Sequence, residues 1–385
     1  MAGSGLSGRA GTGGAMTPWL RRNGHRIFHP LAGADAATLA PVLRDGGGVG
    51  LLHLHRVATA LGAAAIRAPL DLLEQRRVKR LARQGRTAGP PPLFILGHWR
   101  SGTTHLLNLL AQDPRFAAPD PLAVGLPWGF LGLSSFWRSR LEEWLPPDRI
   151  IDAMPVDPTS PQEDELALAL MQPLSYYHGI FFPKHLRRAF RRGVLFEDCR
   201  PEAVDLWRRR MALYLTKMQI NYGGRRLLIK NPAHTPKLAE LLALRPDAVF
   251  VHIHRDPYEV FSSTRRMLLT LLREFSLQSY DPRAVDGLVL DLYPAMMARF
   301  DRDRALLPPG RLVEIRYDRF VADPLETLGE VYDGLALGPF EPVRPRVERY
   351  LADVRDYRRA RHDLEDPARS AVRRRWAFAF DRWGY

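Results

Sequence analysis

Short apolar runs at Leu93–Leu96, Leu227–Ile229, Val249–His254 and Leu312–Ile315 are each followed by a loop and then by a longer stretch of mixed polarity. Runs of this length without polar alternation are the pattern of strands buried on both faces, the usual condition of a parallel sheet. Helical periodicity predicts helices over Thr103–Gln112, Glu202–Tyr222, Tyr258–Arg273, Arg283–Leu306 and Pro324–Leu335. Strands that alternate with helices predict an α/β protein, with a central parallel sheet flanked by helices on both faces. Pro90-Pro91-Pro92 breaks the chain ahead of this unit. Residues 31–89 before the breaker read as a helical arm, and residues 1–30, rich in Gly and Ser and lacking a signal-peptide core, as a disordered leader.

Within the arm, Gly48–Leu70 comes nearest to a membrane span, but His53, His55, Arg56 and Arg67 interrupt it. Its uncharged part is shorter than the roughly 20 residues that a span needs. The continuation, Asp71–Arg86, is strongly basic. The arm therefore either packs on the α/β unit or lies on an anionic bilayer surface.

The segment Pro91–Gln112, PPLFILGHWRSGTTHLLNLLAQ, adds chemistry to this pattern. A strand, a glycine-bounded loop and a helix start bring backbone N–H groups and the positive end of a helix dipole to one point, which favours an anion such as phosphate. Gly97 and Gly102 have the spacing of a nucleotide phosphate loop, yet Thr103-Thr104 stands where that loop carries Lys-Ser or Lys-Thr. Arg100 supplies the positive charge from inside the loop instead, as a planar fork of donors. A second candidate lies at the end of the Val249–His254 run, where Arg255 and the hydroxyl of Ser262 or Ser263 on the following helix can converge on another anion. Both fall at the carboxyl ends of predicted strands, where open α/β sheets bind ligands.

Two phosphate sites on one sheet suit a nucleotide charged at both its 5′ and 3′ ends, and here the chain resembles the sulfotransferase family. Residues 97–104 (Gly97, Arg100, Ser101, Gly102, Thr103 and Thr104) resemble that family's 5′-phosphosulfate loop in its arginine form, and Arg255 with Ser263 its 3′-phosphate motif. Arg316-Tyr317-Asp318-Arg319-Phe320 followed by Asp323-Pro324 resembles a late family segment, with Asp318-Arg319 replacing Glu-Asp. Ser160–Glu165, Leu228–His234 and the closing Arg382–Tyr385 resemble segments of a bacterial branch whose best-known member sulfates the ω-hydroxyl of a dihydromenaquinone. The resemblance covers roughly residues 90–385 and implies a P-loop-like catalytic domain there. It implies 3′-phosphoadenosine 5′-phosphosulfate (PAPS) as donor, 3′,5′-adenosine bisphosphate (PAP) as product, and Tyr317 as an adenine or ribose contact.

Sulfuryl transfer needs a base near the acceptor hydroxyl and cations on the migrating group and leaving phosphate. Glu163 is the first candidate base and Glu165 the next, in an acidic run that also includes Asp164. His98, inside the loop, is a further candidate; His105 and His234 are rivals. Lys230 follows a predicted strand and can meet the charge that builds on the leaving oxygen, a role the resemblance also gives it. The region between Pro119 and Pro183 is rich in aromatic residues, namely Trp128, Phe130, Phe136, Trp137, Trp144, Tyr176, Tyr177, Phe181 and Phe182. Such linings suit a lipophilic alcohol or phenol. A carbohydrate or peptide acceptor would fit the same donor site.

Charge and cysteine content narrow the remaining choices. A net charge of +14 favours anionic partners. No zinc-finger spacing, RNP signature or aromatic-interleaved basic strand points to nucleic acid. Cys199 is the only cysteine, so no intrachain disulfide forms, and a cytoplasmic setting, at the inner membrane face if the arm lies there, is expected. No metal cluster is expected, the arginines and lysine serving as cations. An atypical kinase would require Mg-ATP, and a basic membrane-bound protein would bind vesicles without turnover.

Overall fold

The computed structural model of the chain describes residues 29–85, 88–132, 159–355 and 364–385. Nearly all of the expected leader, and Phe136, Trp137 and Trp144, lie outside the described residues. The strands are β1 (Leu93–Leu96), β2 (Phe116–Ala117), β3 (Arg226–Lys230), β4 (Val249–His254) and β5 (Leu312–Arg316). They form a five-stranded, wholly parallel sheet in the order β2-β3-β1-β4-β5. Leu93 of β1 pairs with Leu228 on one side and Val249 on the other. The four predicted strands stand within a residue or two of their predicted bounds, and β2, two residues long, is an addition.

The helices that position the site are α1 (Ala36–Asp45), α2 (Leu54–Arg83), α3 (Thr103–Leu110), α4 (Glu165–Met171), α5 (Pro201–Asn221), α6 (Pro257–Phe275), α7 (Ala284–Arg304), α8 (Pro324–Gly334) and α9 (Ala377–Trp383). Alternate residues of β1 feed opposite faces of the sheet. Leu93 and Ile95 join Leu106, Val251, Leu328 and Tyr332 on one face, while Phe94 and Leu96 join Trp207, Met211, Ile229 and Phe250 on the other. Burying each such side chain contributes about 1.5–3 kcal/mol. A third cluster unites the arm with the body, for Leu39, Ala60 and Ala64 pack with Trp99, Tyr176, Phe181 and Leu271.

Because every strand runs the same way, their carboxyl ends share one edge. That edge carries the Gly97 loop after β1, Lys230 closing β3, Arg255 after β4 and Tyr317 after β5. The chain leaves β1 toward β3 and leaves β4 toward β5, so the crevice between β1 and β4 is where the winding reverses and ligands bind.

Candidate active site

The loop after β1 holds its shape through glycine. Gly97 (φ 145°) and Gly102 (φ 105°) are left-handed, and an added Cβ would meet the Ile253 carbonyl oxygen at 2.5 Å and the Tyr317 ring at 2.4 Å respectively. Arg100 is also left-handed (φ 68°), a conformation that costs a non-glycine residue of order 1–3 kcal/mol unless its surroundings enforce it. They do. The Thr235 hydroxyl accepts from the Gly97 N–H at 2.8 Å and donates to the Gly97 carbonyl at 3.0 Å, and Ser101 Oγ donates to the His98 carbonyl at 2.8 Å. Gly102 then opens α3 with no side chain capping its first turn, which begins with Thr103 and Thr104. That leaves the turn's N–H groups for an anion.

Two arginines meet above this loop. Arg100 Nε donates to Ser263 Oγ at 2.8 Å, and Arg255 Nη1 donates to the Arg100 carbonyl at 3.2 Å. Arg255 also pairs with Glu259 one turn along α6 and lies 4.3 Å from the centre of the Tyr317 ring. Ser263 thus lies at the crevice, and the arginine bonded to it is Arg100. Behind Arg255, His254 shares a 2.9 Å hydrogen bond with the Tyr385 hydroxyl and stacks on Trp383 with ring centres 4.6 Å apart. Burial pushes the His254 imidazole down to a pKa of about 3.

The acidic run lies beside Lys230. Lys230, 1% exposed, forms an ion pair with Glu163, which is 23% exposed. Asp164 and Glu165 point the other way, into the protein. Asn231 Nδ2 donates to Asp164 at 2.9 Å and to Glu165 at 2.8 Å, His234 Nε2 lies 2.8 Å from Asp164, and Ser175 Oγ donates to Glu165 at 2.6 Å. Burial raises the Glu165 pKa against the pull of Lys237 and these two hydrogen bonds. With both oxygens engaged by protein donors, Glu165 braces the segment while Glu163 faces outward. Lys237, buried and donating to the Gly193 carbonyl at 2.7 Å, has its pKa lowered by that burial despite the neighbouring carboxylates.

His98 sits at the back of the loop. Its Nδ1 lies 3.0 Å from the Trp99 carbonyl, and its ring meets Trp99, Tyr293 and Trp376 edge-on. Its Nε2 is buried without a hydrogen-bond partner, and burial lowers its pKa to about 3. A neutral ring donating from Nδ1 leaves Nε2 a bare acceptor with little pull on a proton. Of the rival histidines, His105 packs against Phe320 and His234 is the partner of Asp164.

Most of the described aromatic residues belong to the core. Trp128, Phe130, Tyr176, Phe181 and Phe182 are buried, while Tyr177 is partly exposed and stacks on Tyr176 at 4.8 Å. Asn231, Thr235 and Lys237 are structural members of the site that the sequence reading did not single out. The run Lys230-Asn231-Pro232 was their visible trace, but nothing in it reveals partners nearly 70 or 140 positions away. Among the described residues no cluster of three or more His, Cys, Asp or Glu could hold a metal ion, and no helix is long and apolar enough to cross a membrane.

A left-handed glycine loop, a helix start and two arginines thus stand together at the switch point of a parallel sheet, an arrangement that favours anions. Residues 91–342 match the model of the sulfotransferase family. The chain is 34% identical to the omega-hydroxy-beta-dihydromenaquinone-9 sulfotransferase Stf3 of Mycobacterium bovis over 296 residues, 77% of this chain and 75% of that one. The same protein of Mycobacterium tuberculosis matches equally well. The fold is shared with two crystal structures, each at 18% identity. Sulfotransferase STF9 from Mycobacterium avium superposes with a TM-score of 0.62 over 91% of this chain and 96% of that one, and STF1 from Mycobacterium tuberculosis H37Rv with 0.60 over 89% and 90%. The chain belongs to the sulfotransferase family. It is a PAPS-dependent sulfotransferase, and this membership sets aside the kinase and the non-catalytic binding protein.

Proposed function

We propose that this enzyme transfers the sulfuryl group of PAPS to the hydroxyl of a lipophilic alcohol or phenol of the hydroxylated quinone or lipid class, within residues 90–385. The observation that carries the proposal is the meeting of Arg100, Arg255 and Ser263 at the β1–β4 crevice, beside the Lys230–Glu163 pair at the end of β3. Lys230 pairs with Ile95 in the sheet register, two residues before Gly97, which supports a role for its ammonium beside the phosphate loop. The relative's quinone-type acceptor supports the lipophilic reading.

In this reading Gly97, Ser101, Gly102, Thr103 and Thr104 shape the cradle for the 5′ end, and Arg100 supplies its charge. Arg255 and Ser263 hold the 3′-phosphate, with Tyr317 against the nucleoside. Glu163 takes the proton from the acceptor hydroxyl as the new O–S bond forms. Lys230 and Arg100 meet the negative charge on the phosphate oxygen that keeps the electron pair of the breaking S–O bond. Glu165 and His98 position the carboxylate segment and the loop. The setting is cytoplasmic, with the arm at the inner membrane face; nucleic acid and metal take no part.

Thermal unfolding with PAP against ATP, each with and without Mg²⁺, tests the donor site. At about 100 times its dissociation constant PAP stabilises the fold by roughly 2.7 kcal/mol without Mg²⁺. Arg100→Ala should abolish that shift and the transfer of sulfate to a hydroxylated quinone. A shift with Mg-ATP alone would refute the assignment.

A further inference from the structure

Helix α2 is inside out. From Leu51 to Leu73 every exposed residue except His55 is apolar, glycine or proline, and Leu51, Leu52 and Ile66 are 84%, 86% and 77% exposed. Charged residues of this stretch turn toward the protein instead. Arg56 is buried and donates to the Glu274 carbonyl at 3.0 Å, Arg67 donates to the Ala34 carbonyl at 2.7 Å, and Asp71 is buried. Glu74, on the next turn, is buried in an ion pair with Lys217 at 2.6 Å. A helix exposed to water keeps its charges outside and its leucines inside, so this face is built for another medium. Beyond Glu74 the outward positions change character at once, to Arg76, Arg77, Lys79, Arg80 and Arg83.

We propose that the outward face of Leu51–Leu73 lies in the surface of an anionic lipid bilayer, with Arg76, Arg77, Lys79, Arg80 and Arg83 on its headgroups. The apolar face suits the acyl boundary, and a collar of one sign complements acidic headgroups. A second copy docked through the same face brings the same positive collar, for the outward positions of residues 51–83 hold no acidic residue. No described helix can cross the bilayer, so the arm lies on it. The inner face of α2 packs through Ala60 and Ala64 into the cluster that contains Trp99 of the phosphate loop and Tyr176, so docking sets the catalytic edge close to the lipid. This deepens the reading of a lipophilic acceptor and rests on it for its purpose, though not for its observations.

Flotation of the full chain with vesicles of phosphatidylcholine, with and without phosphatidylglycerol, tests the proposal. The wild type should float with the anionic vesicles and release at high salt. Joint replacement Leu51→Gln, Leu52→Gln and Ile66→Gln should lower partitioning on the order of 100-fold or more. Joint replacement Arg76→Gln, Arg77→Gln and Arg80→Gln should lower it about fivefold per residue and remove the preference for phosphatidylglycerol. All six side chains are exposed, so both variants should fold and keep the PAP thermal shift. Failure of the wild type to float while that shift persists overturns the docking alone, whereas loss of the shift refutes the donor site. A dimer that the apolar variant dissolves, with no flotation by the wild type, assigns the face to a second copy and overturns the proposal.

Discussion

On the proposed assignment the site has a donor half and an acceptor half, and the two are held together by different bonds. In the donor half two of the described arginine bonds go to neutral oxygens, Arg100 to the Ser263 hydroxyl and Arg255 to the Arg100 carbonyl, and Glu259 is a counter-charge to Arg255. In the acceptor half each carboxylate has a dedicated partner, Lys230 for Glu163, His234 for Asp164, and Asn231 with Ser175 for Glu165. A hydroxyl or carbonyl gives up an arginine to an incoming anion cheaply, because the arginine exchanges one acceptor for a stronger one. Removing one member of a buried ionic net instead strands its partner. One half is therefore poised to receive charge, and the other is a fixed frame around the single outward carboxylate, Glu163.

Replacing that carboxylate gives the largest separation of the two halves. Glu163→Gln should lower kcat by about 10²- to 10⁴-fold, the span of a lost general base, while the PAP thermal shift stays. Lys230→Ala should lower kcat by roughly 10²- to 10³-fold, and no rate loss in either variant would break the division of labour. The framing bonds come next. Asn231→Leu leaves Asp164 and Glu165 short of donors at a cost of about 1–3 kcal/mol each, so its melting temperature should fall well below that of Ser263→Ala, whose serine is a partly exposed donor-side partner.

Acid should move the two halves in opposite directions. Burial lowers the His98 and His254 pKa values to about 3, against about 6.5 in the unfolded chain. Below pH 6.5 the unfolded chain takes up protons that the fold refuses, so this contribution is complete above that pH and is lost as the pH falls toward 3. The slope is up to about 1.4 kcal/mol per pH unit for each group. Glu165 has a raised pKa, so its contribution is complete below the unfolded carboxylate value and is lost as the pH rises through the folded one. Melting temperatures measured from pH 8 to pH 4 should fall overall, less steeply for His98→Asn and more steeply for Glu165→Gln.

The sequence displayed the donor half far better than the acceptor half, for a physical reason. A phosphate loop is contiguous, and its two glycines, its arginine and the apolar run before it are adjacent letters. The parallel strands are legible because burial on both faces leaves unbroken apolar runs, as at Val249–His254. Two-residue β2 has no run to read and exists through its pairing with β3. In the acceptor half Glu163, Asp164 and Glu165 look alike as letters; only the placement of Lys230 and Asn231 turns one outward and two inward. The helical arm was legible as an element, but which of its faces meets water was not, because the partners that hold Arg56 and Glu74 inward are the Glu274 carbonyl and Lys217, far along the chain.

The smallest expected effect probes the counter-charge of Arg255. Glu259 is exposed and pairs with Arg255 one helical turn away, an arrangement that contributes about 0.3–0.5 kcal/mol. An anion arriving at Arg255 must displace or share that carboxylate. Glu259→Gln removes the competitor and leaves the Asp256 cap of α6, which accepts from the Tyr258 N–H at 2.8 Å, in place. PAP should therefore bind about twofold more tightly by calorimetry, with stability almost unchanged. If affinity fell instead, Glu259 would be the group that orients the Arg255 fork for phosphate, and the donor half would share the fixed, ion-paired construction of the acceptor half.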